Sequence, residues 1–503
     1  MSKDSKIIDQ QRRSVVKGLL AATAVSAVMP YSLFAAGAGP TAVVIGSGIA
    51  GLSAAYDLRK AGFQVSIFEK EKFTGGRMVE LQMGPLYQFT HAVGVFGANK
   101  EMFALAAELG IKDQMLGDHM SQNTIGSQSI SFDDQESGSF GLIDNGHGLY
   151  DPGTAGDFDF EKTAKIPGLS KETVAKLPLL KPDFDAIAAT VDPCLLESGS
   201  AFDDESLGDY FERLFGKDSG RELLAYKIES LCTWWGWPPY QTSKIALLSW
   251  LAQGKQFWLP RGGIGCMTRK LDSLLPVQNN TTVRYVTPPD SNGCHTVHYL
   301  NANLERRSVT PDIVVCAVEG KYLDRLVQDL TPKQEALARN CFFTKESIVC
   351  WILDEKHAPK EIASGAYIPD HPDLMKARTT SWVATPGNHD LNHPPHIRFT
   401  LSRRHTPEFQ KSDMTLEEFC WPMIKTFYPQ LERSHVVDIV DYTCDDLIYM
   451  PVGYVKQIAE VLQEQRKERR GLYFAGEYVS GAHTGAACAS GRTVARTIVK
   501  HWA

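Results

Sequence analysis

Cysteine pairs with CxxC spacing are missing from this 503-residue sequence, although it contains ten cysteines. Their absence argues against a structural zinc site, which needs paired Cys or His ligands, and scattered thiols in so long a chain do not make a disulfide framework. The apolar run Leu19–Met29 is too short for a membrane-spanning helix, which needs about 20 residues. Positive charge is not in excess, because the formal net charge is −7, and nucleic-acid binding would require a basic face. We therefore expect neither a metal nor a nucleic-acid partner.

The composition fits a globular protein of two domains. Hydrophobic residues make up 43% and charged residues 22% of the chain, the proportions of soluble proteins. A length of 503 residues exceeds one ordinary domain and suggests two, with ample material for a core. No repeat with a period of about 20–50 residues is visible, so a solenoid or a propeller is not indicated.

The first 38 residues have the order of segments that is typical of a secretory signal. The pair Arg12-Arg13 precedes the apolar run Leu19–Met29, and small residues follow at 35–38. The pair resembles the twin-arginine motif, whose export (Tat) machinery moves folded, cofactor-loaded proteins. We expect 1–38 to be a twin-arginine signal peptide and the mature protein to be periplasmic or otherwise exported. Because this segment carries a charge of +3, the mature net charge would be −10. The alternatives are that these residues form a membrane anchor or that the N-terminal segment is basic by chance.

A complete βαβ unit follows the signal. The β-branched run 41–45 predicts a buried strand, and it ends at the GxGxxG sequence 46–51. A helical stretch at 52–61 and a second strand at 64–68 come next. Glu69 ends that strand, where a carboxylate can accept the ribose hydroxyls of a dinucleotide.

Each glycine of the GxGxxG sequence has a role in dinucleotide binding. Gly46 permits the tight turn, Gly48 lets the backbone approach the pyrophosphate, and Gly51 lets the helix pack close to the strand. The N-terminus of the helix offers N–H groups and the positive end of its dipole to the phosphates.

A second glycine turn, Gly75-Gly76-Arg77, follows the second strand. The two glycines permit another close approach to the dinucleotide, and Arg77 can neutralise phosphate or flavin charge. A βαβ unit followed by a GGR turn resembles the N-terminal signature of the flavin amine oxidase superfamily. This resemblance implies that the cofactor is FAD.

The C-terminal part resembles the closing motif of the same superfamily. Residues 471–477 predict a strand that ends in Gly-Glu, and a small-residue helix opens at 485–492 and runs to about Lys500. The resemblance implies that Glu477 contacts the ribityl or phosphate region of FAD. It also implies that Gly485, Ala486 and Ala487 pass close to the isoalloxazine ring.

Three middle segments also resemble superfamily elements. Residues 259–265 resemble its P-x-GG-x-G turn, 283–286 the strand whose backbone meets the adenine, and 311–318 the strand that returns to the FAD-binding domain. The resemblance therefore covers nearly the whole mature chain. The cofactor-binding residues that it implies, together with the glycine loops, are Gly46, Gly48, Ile49, Ala50, Gly51, Glu69, Lys70, Gly75, Gly76, Arg77, Val286, Gly476, Glu477, Gly485, Ala486 and Ala487.

These segments imply an α/β fold class, with a Rossmann-like FAD-binding domain of the GR2 type and an α+β substrate-binding domain. The FAD-binding domain is expected to be assembled from residues 39–100, 258–322 and 455–503. The substrate-binding domain is expected to consist of residues 101–257 and 323–454.

Four features bear on catalysis. Many flavin amine oxidases hold the substrate nitrogen between two aromatic rings, and the C-terminal ring position falls at His483, which can also accept a proton near neutral pH. A lysine that many members keep near the flavin falls at or beside Ser347, with Lys345 nearby. We name His483 and His91 as candidate catalytic residues, with a structural histidine as the alternative for each. The aromatic cluster at 234–240 is a candidate pocket wall, or else core packing.

Three functions remain open. The first is oxidation of an amine or amino acid by hydride transfer to flavin N5, with an undetermined electron acceptor for which dioxygen is a candidate. The second is desaturation or isomerisation of an apolar substrate, as in the relatives that resemble protoporphyrinogen oxidase or phytoene desaturase. The third is a non-catalytic FAD-binding protein. The departures at His483 and Ser347 favour the second function, whereas export favours the first.

Overall fold

A computed structural model describes residues 39–83, 86–89, 95–96, 100–115, 142–144, 149–150, 158–228, 232, 236–252, 257–258, 263–359, 363–367, 379–385, 394–401 and 406–502. The signal peptide expected at 1–38 and the candidate His91 lie outside the described residues.

The described strands lie before residue 151 and after residue 256, and helices occupy the described residues in between. In chain order they are β1 (Thr41–Ile45), β2 (Gln64–Phe68), β3 (Glu80–Met83), β4 (Leu86–Phe89), β5 (Val95–Phe96), β6 (Leu142–Asp144), β7 (Leu149–Tyr150), β8 (Phe257–Trp258), β9 (Val277–Gln278), β10 (Thr282–Val286), β11 (Val297–Leu300), β12 (Arg306–Val309), β13 (Ile313–Cys316), β14 (Phe342–Leu353), β15 (Ala363–Tyr367), β16 (Thr379–Thr385), β17 (His396–Leu401), β18 (Val436–Tyr449) and β19 (Leu472–Phe474).

The α-helices are α1 (Ile49–Lys60), α2 (Lys100–Glu108), α3 (Lys112–Met115), α4 (Phe160–Ala164), α5 (Lys171–Lys176), α6 (Lys181–Thr190), α7 (Leu207–Phe215), α8 (Lys217–Leu223), α9 (Lys244–Leu251), α10 (Cys266–Asp272), α11 (Leu323–Leu326), α12 (Pro332–Arg339), α13 (Thr406–Lys411), α14 (Leu416–Phe427), α15 (Tyr454–Lys467) and α16 (Thr484–Trp502). Short 3₁₀ segments include Leu196–Phe202, Gly320–Tyr322 and Glu477–Val479. Within the described part of the chain, no helix combines the length and the apolarity that a membrane crossing requires.

A five-stranded sheet carries the dinucleotide motif. Its order is β19-β13-β1-β2-β9, and every neighbouring pair is parallel. The central strand β1 is rich in β-branched residues, and its last four residues are buried, as is typical of a strand covered on both faces. Because the strands are parallel, their carboxyl ends lie at one edge, and the loops after β1, β2, β13 and β19 meet there. The predicted Rossmann-like α/β fold class is confirmed.

The βαβ unit has the predicted strands, but its helix begins earlier than predicted. Helix α1 starts at Ile49 rather than Leu52, because the second half of the GxGxxG sequence forms its first turn. Gly48 is the N-cap residue, and its carbonyl oxygen accepts the N–H of Leu52 at 2.9 Å. The close-packed loop and the helix N-terminus are therefore one continuous element.

A seven-stranded mixed sheet forms the other large layer. Its order is β18-β14-β17-β16-β15-β6-β7, in which β15 and β6 are parallel and the other pairs are antiparallel. Helix α14 covers one face, where Phe419 and Ile424 share an apolar cluster with Val349 and Trp351 of β14. Strand β14 is 12 residues long and contains Ser347. Whether this layer acts as a separate substrate-binding domain stays a prediction.

Candidate functional site

Two glycines of the GxGxxG sequence are required by the packing of the protein itself. Gly46 has a φ of +101°, and a Cβ atom there would lie 2.6 Å from the carbonyl oxygen of Ala317. A Cβ atom on Gly51 would lie 2.0 Å from the carbonyl oxygen of Gly46. Only glycine permits these approaches between the loop, helix α1 and the end of β13.

Gly48 differs, because the packing of the protein does not require a glycine there. Its φ of −66° and ψ of 171° are accessible to any residue. A Cβ atom on it would meet no heavy atom of the described residues within 4 Å. The position caps α1, whose first-turn N–H groups and dipole attract phosphate. A side chain at this point would fill the space in front of the helix, so the glycine fits the close approach of a pyrophosphate.

Glu69 is buried at the carboxyl end of β2 and is held against the glycine loop. Its Oε2 accepts the backbone N–H of Ser47 at 2.8 Å and the hydroxyl of Ser47 at 2.7 Å. Its Oε1 accepts the N–H of Glu71 at 2.9 Å. A carboxylate offers about four acceptor positions, so Glu69 can also accept one ribose hydroxyl while it fixes the loop.

The Gly75-Gly76 turn lies directly against the first glycine loop. The N–H of Gly75 donates to the carbonyl oxygen of Ser47 at 3.0 Å. Gly76 has a φ of +60°, and a Cβ atom on it would lie 3.3 Å from the Cα of Gly48. The structure therefore brings the two predicted glycine motifs together into one backbone cradle.

Arg77 joins this cradle to the C-terminal motif. Its Nη2 atom lies 2.5 Å from Oε1 of Glu477, and the two side chains are 28% and 10% exposed. Glu477 lies three residues after the end of β19 and follows Gly476, whose φ of +139° turns the chain. A guanidinium has five donors, so Arg77 can hold Glu477 and a phosphate at the same time.

Helices α16 and α1 are in close contact near their N-termini. A Cβ atom on Gly491 would lie 2.1 Å from the carbonyl oxygen of Ala50 and 2.3 Å from Oγ of Ser53. The Ser53 hydroxyl lies 3.1 Å from the carbonyl oxygen of Ala50 and 3.2 Å from that of Cys488, so its hydrogen is shared between the two helices. The predicted residues Gly485, Ala486 and Ala487 form the first turn of α16, and this contact places that turn close to the glycine cradle.

His483 precedes α16 and has both ring nitrogens engaged. Nδ1 accepts the N–H of Ala486 at 3.0 Å, and Nε2 lies 2.9 Å from the carbonyl oxygen of Pro193. The ring packs edge-on against Trp250 at a centroid distance of 4.3 Å. Burial lowers the pKa of His483 to about 4. The imidazole is therefore neutral at pH 7, with its proton on Nε2.

Val286 and Lys70, two further predicted cofactor-binding residues, lie at or just after the ends of different strands, since Val286 is the last residue of β10 and Lys70 comes two residues after the end of β2. Val286 ends β10 and is buried, and its carbonyl oxygen accepts the N–H of Gln328 at 3.0 Å. Lys70 is exposed, and its Nζ lies 5.4 Å from the ring centroid of Tyr322. Neither contact involves the glycine loop, so their roles toward FAD stay predictions.

The described residues show a hydroxyl where many superfamily members are expected to have a lysine. Ser347 is buried in β14, and its Oγ lies 3.1 Å from Oγ1 of Thr443 on β18. Lys345 is exposed, at the point where the pairing of β14 and β18 shifts register. A neutral hydroxyl pair can orient a substrate but supplies no charge.

The aromatic cluster at 234–240 divides into core and surface where it is described. Trp237 is buried, and its Nε1–H donates to the carbonyl oxygen of Ile448 at 2.8 Å. Tyr240 is exposed and donates its hydroxyl to Glu212 at 2.7 Å. Trp234 and Trp235 lie outside the described residues. Trp237 therefore packs in the interior, as the alternative interpretation held.

Several supporting residues were missed from the sequence. Trp250 and Pro193 contact His483 from segments far away in the chain. Arg492 joins α16 to α1, because its Nε lies 3.0 Å from a carboxylate oxygen of Asp57. Only Ser47 carried a usable signal, since it is the polar residue inside the GxGxxG loop.

A family model described as flavin containing amine oxidoreductase matches residues 49–499. The chain belongs to this family. Its cofactor is FAD, and its members are oxidoreductases. The match begins inside the GxGxxG sequence and includes Glu69, the Gly75-Gly76 turn, Arg77 and Glu477, which the structure has brought to one edge of the parallel sheet.

Similar proteins differ in their reactions. A 1-hydroxycarotenoid 3,4-desaturase of Flavobacterium sp. (strain P99-3) is 47% identical over 55 residues, which are 11% of this chain and 11% of that protein. The chain thus matches only about a tenth of the length of this curated relative. A putrescine oxidase structure aligns with a TM-score of 0.64 and 15% identity over 92% of this chain and 99% of its own. A fatty acid isomerase from P. acnes aligns with a TM-score of 0.61 and 16% identity over 90% and 97%. At these identities the two structures show a shared fold.

Proposed function

We propose that this flavin containing amine oxidoreductase oxidises an amine or amino acid and works outside the cytoplasm. The observation that carries the redox function is the Arg77–Glu477 pair at 2.5 Å. It joins the N-terminal glycine cradle to the closing motif, so the residues expected to bind FAD form one site. The segments 39–100, 258–322 and 455–503 then act as the FAD-binding domain, and 101–257 and 323–454 as the substrate-binding domain.

The residues of the chain would hold FAD along its whole length. Glu69 would accept a ribose hydroxyl, Gly48 and the N-terminus of α1 would take the pyrophosphate, and Arg77 would neutralise phosphate charge. The first turn of α16 would lie beside the flavin. When it is bound, FAD supplies an acceptor for the hydride that leaves the substrate carbon.

The surroundings of His483 suit a basic substrate nitrogen. Burial lowers the pKa of this histidine to about 4, so it carries no charge that would repel an amine. The same low polarity would lower the pKa of a substrate ammonium group, and the neutral amine is the form whose lone pair assists loss of hydride. The structural likeness to putrescine oxidase supports this substrate class.

The test is an anaerobic absorbance titration of the FAD-loaded mature protein. Amines, diamines and amino acids are added in turn while the absorbance of the flavin band at about 450 nm is followed. Bleaching by an amine supports the proposal, and free FAD with the same amine is the control. The proposal would be contradicted if dithionite bleaches the flavin band of the protein but no amine does.

The second candidate is desaturation or isomerisation of an apolar substrate. It is favoured by the Ser347–Thr443 hydroxyl pair, which stands where a lysine is expected, and by the occupied nitrogens of His483. The likeness to a fatty acid isomerase and to a carotenoid desaturase points the same way. Polyenes and unsaturated fatty acids in the same titration, with analysis of their products, separate the candidates, because desaturation leaves the flavin reduced whereas isomerisation leaves it oxidised. If neither class reacts, the third possibility, a non-catalytic FAD-binding protein, is favoured.

Export rests on the sequence of residues 1–38. We propose that the Tat machinery carries the folded, FAD-loaded protein to the periplasm, where dioxygen is a candidate electron acceptor. Changing Arg12 and Arg13 together to Lys should keep the flavoprotein in the cytoplasmic fraction, whereas Lys6→Arg should not. Equal periplasmic amounts of both variants would contradict this route.

A further inference from the structure

His483 occupies the N-cap position of α16. The helix begins at Thr484, and the first backbone bond runs from the N–H of Ala487 to the carbonyl oxygen of His483 at 3.1 Å. The Nδ1 atom then accepts the N–H of Ala486, the third helical residue, at 3.0 Å. Ser, Thr, Asp and Asn, the residues preferred at helix N-caps, make the same bond.

The other side of the ring binds a different part of the chain. Nε2 lies 2.9 Å from the carbonyl oxygen of Pro193, in the segment 192–196. A second bond joins the same segments, from the N–H of Leu196 to the carbonyl oxygen of Ser480 at 2.9 Å. Trp250 packs against one side of the imidazole ring. The imidazole thus ties the first turn of α16 to 192–196 through two directed bonds.

We propose that His483 is a positioning residue, which holds the first turn of α16 at the FAD site as a neutral N-cap and does not carry a proton in the reaction. A carbonyl oxygen can only accept, so Nε2 carries the hydrogen, and Nδ1 is committed to the N–H of Ala486. Neither nitrogen is available to accept a substrate proton unless one of these bonds breaks. Burial of the ring favours the same neutral form.

The turn that His483 positions is joined to the cofactor cradle. The contact of Gly491 with Ala50 and the bond from Ser53 to Cys488 fix α16 against the first turns of α1. A displaced N-terminus of α16 would therefore shift both the flavin contacts of Gly485–Ala487 and the pyrophosphate contacts of α1. The inference rests on the proposed placement of FAD, but not on the choice of substrate.

Two substitutions test the two hydrogen bonds of the His483 ring one at a time. His483→Asn keeps an acceptor at the place of Nδ1 and loses the donor toward Pro193, whereas His483→Gln keeps a donor near the place of Nε2 and loses the cap. His501→Asn, at the other end of α16, is the matched control. We expect roughly three- to tenfold weaker FAD binding by apoprotein for His483→Gln, little change for His483→Asn, and none for His501→Asn.

The flavin midpoint potential is the second measurement. A frayed helix N-terminus stabilises the anionic reduced flavin less well, so the potential should become more negative in His483→Gln and stay near its original value in His483→Asn. A proton-transfer role predicts the opposite pattern, in which both variants lose flavin reduction by substrate while FAD affinity and potential stay unchanged. That pattern would overturn the inference. If no substrate reduces the flavin while the FAD affinities of the variants follow the expected pattern, only the proposed function is contradicted.

Discussion

Arg77 and Glu477 form an ion pair at 2.5 Å between two sequence motifs at opposite ends of the chain. The pair lies at the edge of the parallel sheet where the loops after β2 and β19 meet. Because Glu477 is largely buried, its charge depends on Arg77 for compensation, and each side chain orients the other toward the FAD site.

Glu477→Gln should weaken FAD binding about tenfold or more, since Arg77 loses the partner that orients it and a charge-assisted bond is replaced by a neutral one. The apoprotein should lose about 1–2 kcal/mol of unfolding free energy. Flavin content after dialysis and urea denaturation measure the two effects. Glu305→Gln, whose surface pair with Arg307 is exposed on both sides, is the control. Equal flavin content in both variants would show that the pair does not support binding.

Gly48→Ala and Gly51→Ala should fail in different ways. Gly48 has room for a Cβ atom in the protein, so the apoprotein should stay within about 1 kcal/mol of its original stability while FAD binding is lost. Gly51→Ala would place Cβ 2.0 Å from a backbone oxygen, so it should destabilise the fold by about 3 kcal/mol or more. Denaturation of both apoproteins and FAD titration provide the comparison. Full FAD affinity in Gly48→Ala would disprove the assigned pyrophosphate contact.

Glu69→Ala should reduce FAD affinity roughly tenfold or more, because it removes a charged acceptor from a ribose hydroxyl and also releases Ser47. Glu71→Ala is a matched control, since Glu71 binds Glu69 through its backbone N–H, which alanine retains. Flavin content of the two purified variants is the measurement. Undiminished flavin in Glu69→Ala would refute the placement of the ribose.

The pKa of His483 predicts a loss of stability on acidification. Burial lowers this pKa from its ordinary value of 6.5 to about 4, so between these values the unfolded chain binds a proton that the folded chain does not. Unfolding free energy should therefore fall as the pH drops from about 6.5 to about 4, by up to about 3 kcal/mol. Urea denaturation at pH 7, 5 and 4 measures it, and His483→Asn should remove this part of the dependence. An unchanged slope in His483→Asn would assign the effect to other groups.

The local parts of the site could be predicted from the sequence, because their signals are short-range. The strands at 41–45 and 64–68 were predicted with their observed bounds, since β-branched runs bounded by glycines specify buried strands. The start of α1 was placed too late, because Ile49 and Ala50 belong at once to the glycine loop and to the helix.

The partners of the side chains could not be predicted. Nothing near His483 in the sequence indicates Pro193 or Trp250, whose contacts exist only after the sheets have assembled. Likewise the apolar character of Trp237 fits a pocket wall as well as a core, and only its bond to Ile448 decides for the interior. The residue type determines which groups a side chain can bind, whereas the topology of the fold determines which groups lie within its reach.

The contact between α1 and α16 also constrains how the protein can be made. Strand β19 and helix α16 are the last described elements to leave the ribosome, whereas α1 is among the first. The site that takes FAD can therefore close only after residues 472–502 have left the ribosome, and until then the glycine loop lacks its C-terminal partner. Such long-range closure is slow compared with local folding. A chain that is cut short before Leu472 would lack the helix that completes the cradle, whatever the supply of flavin.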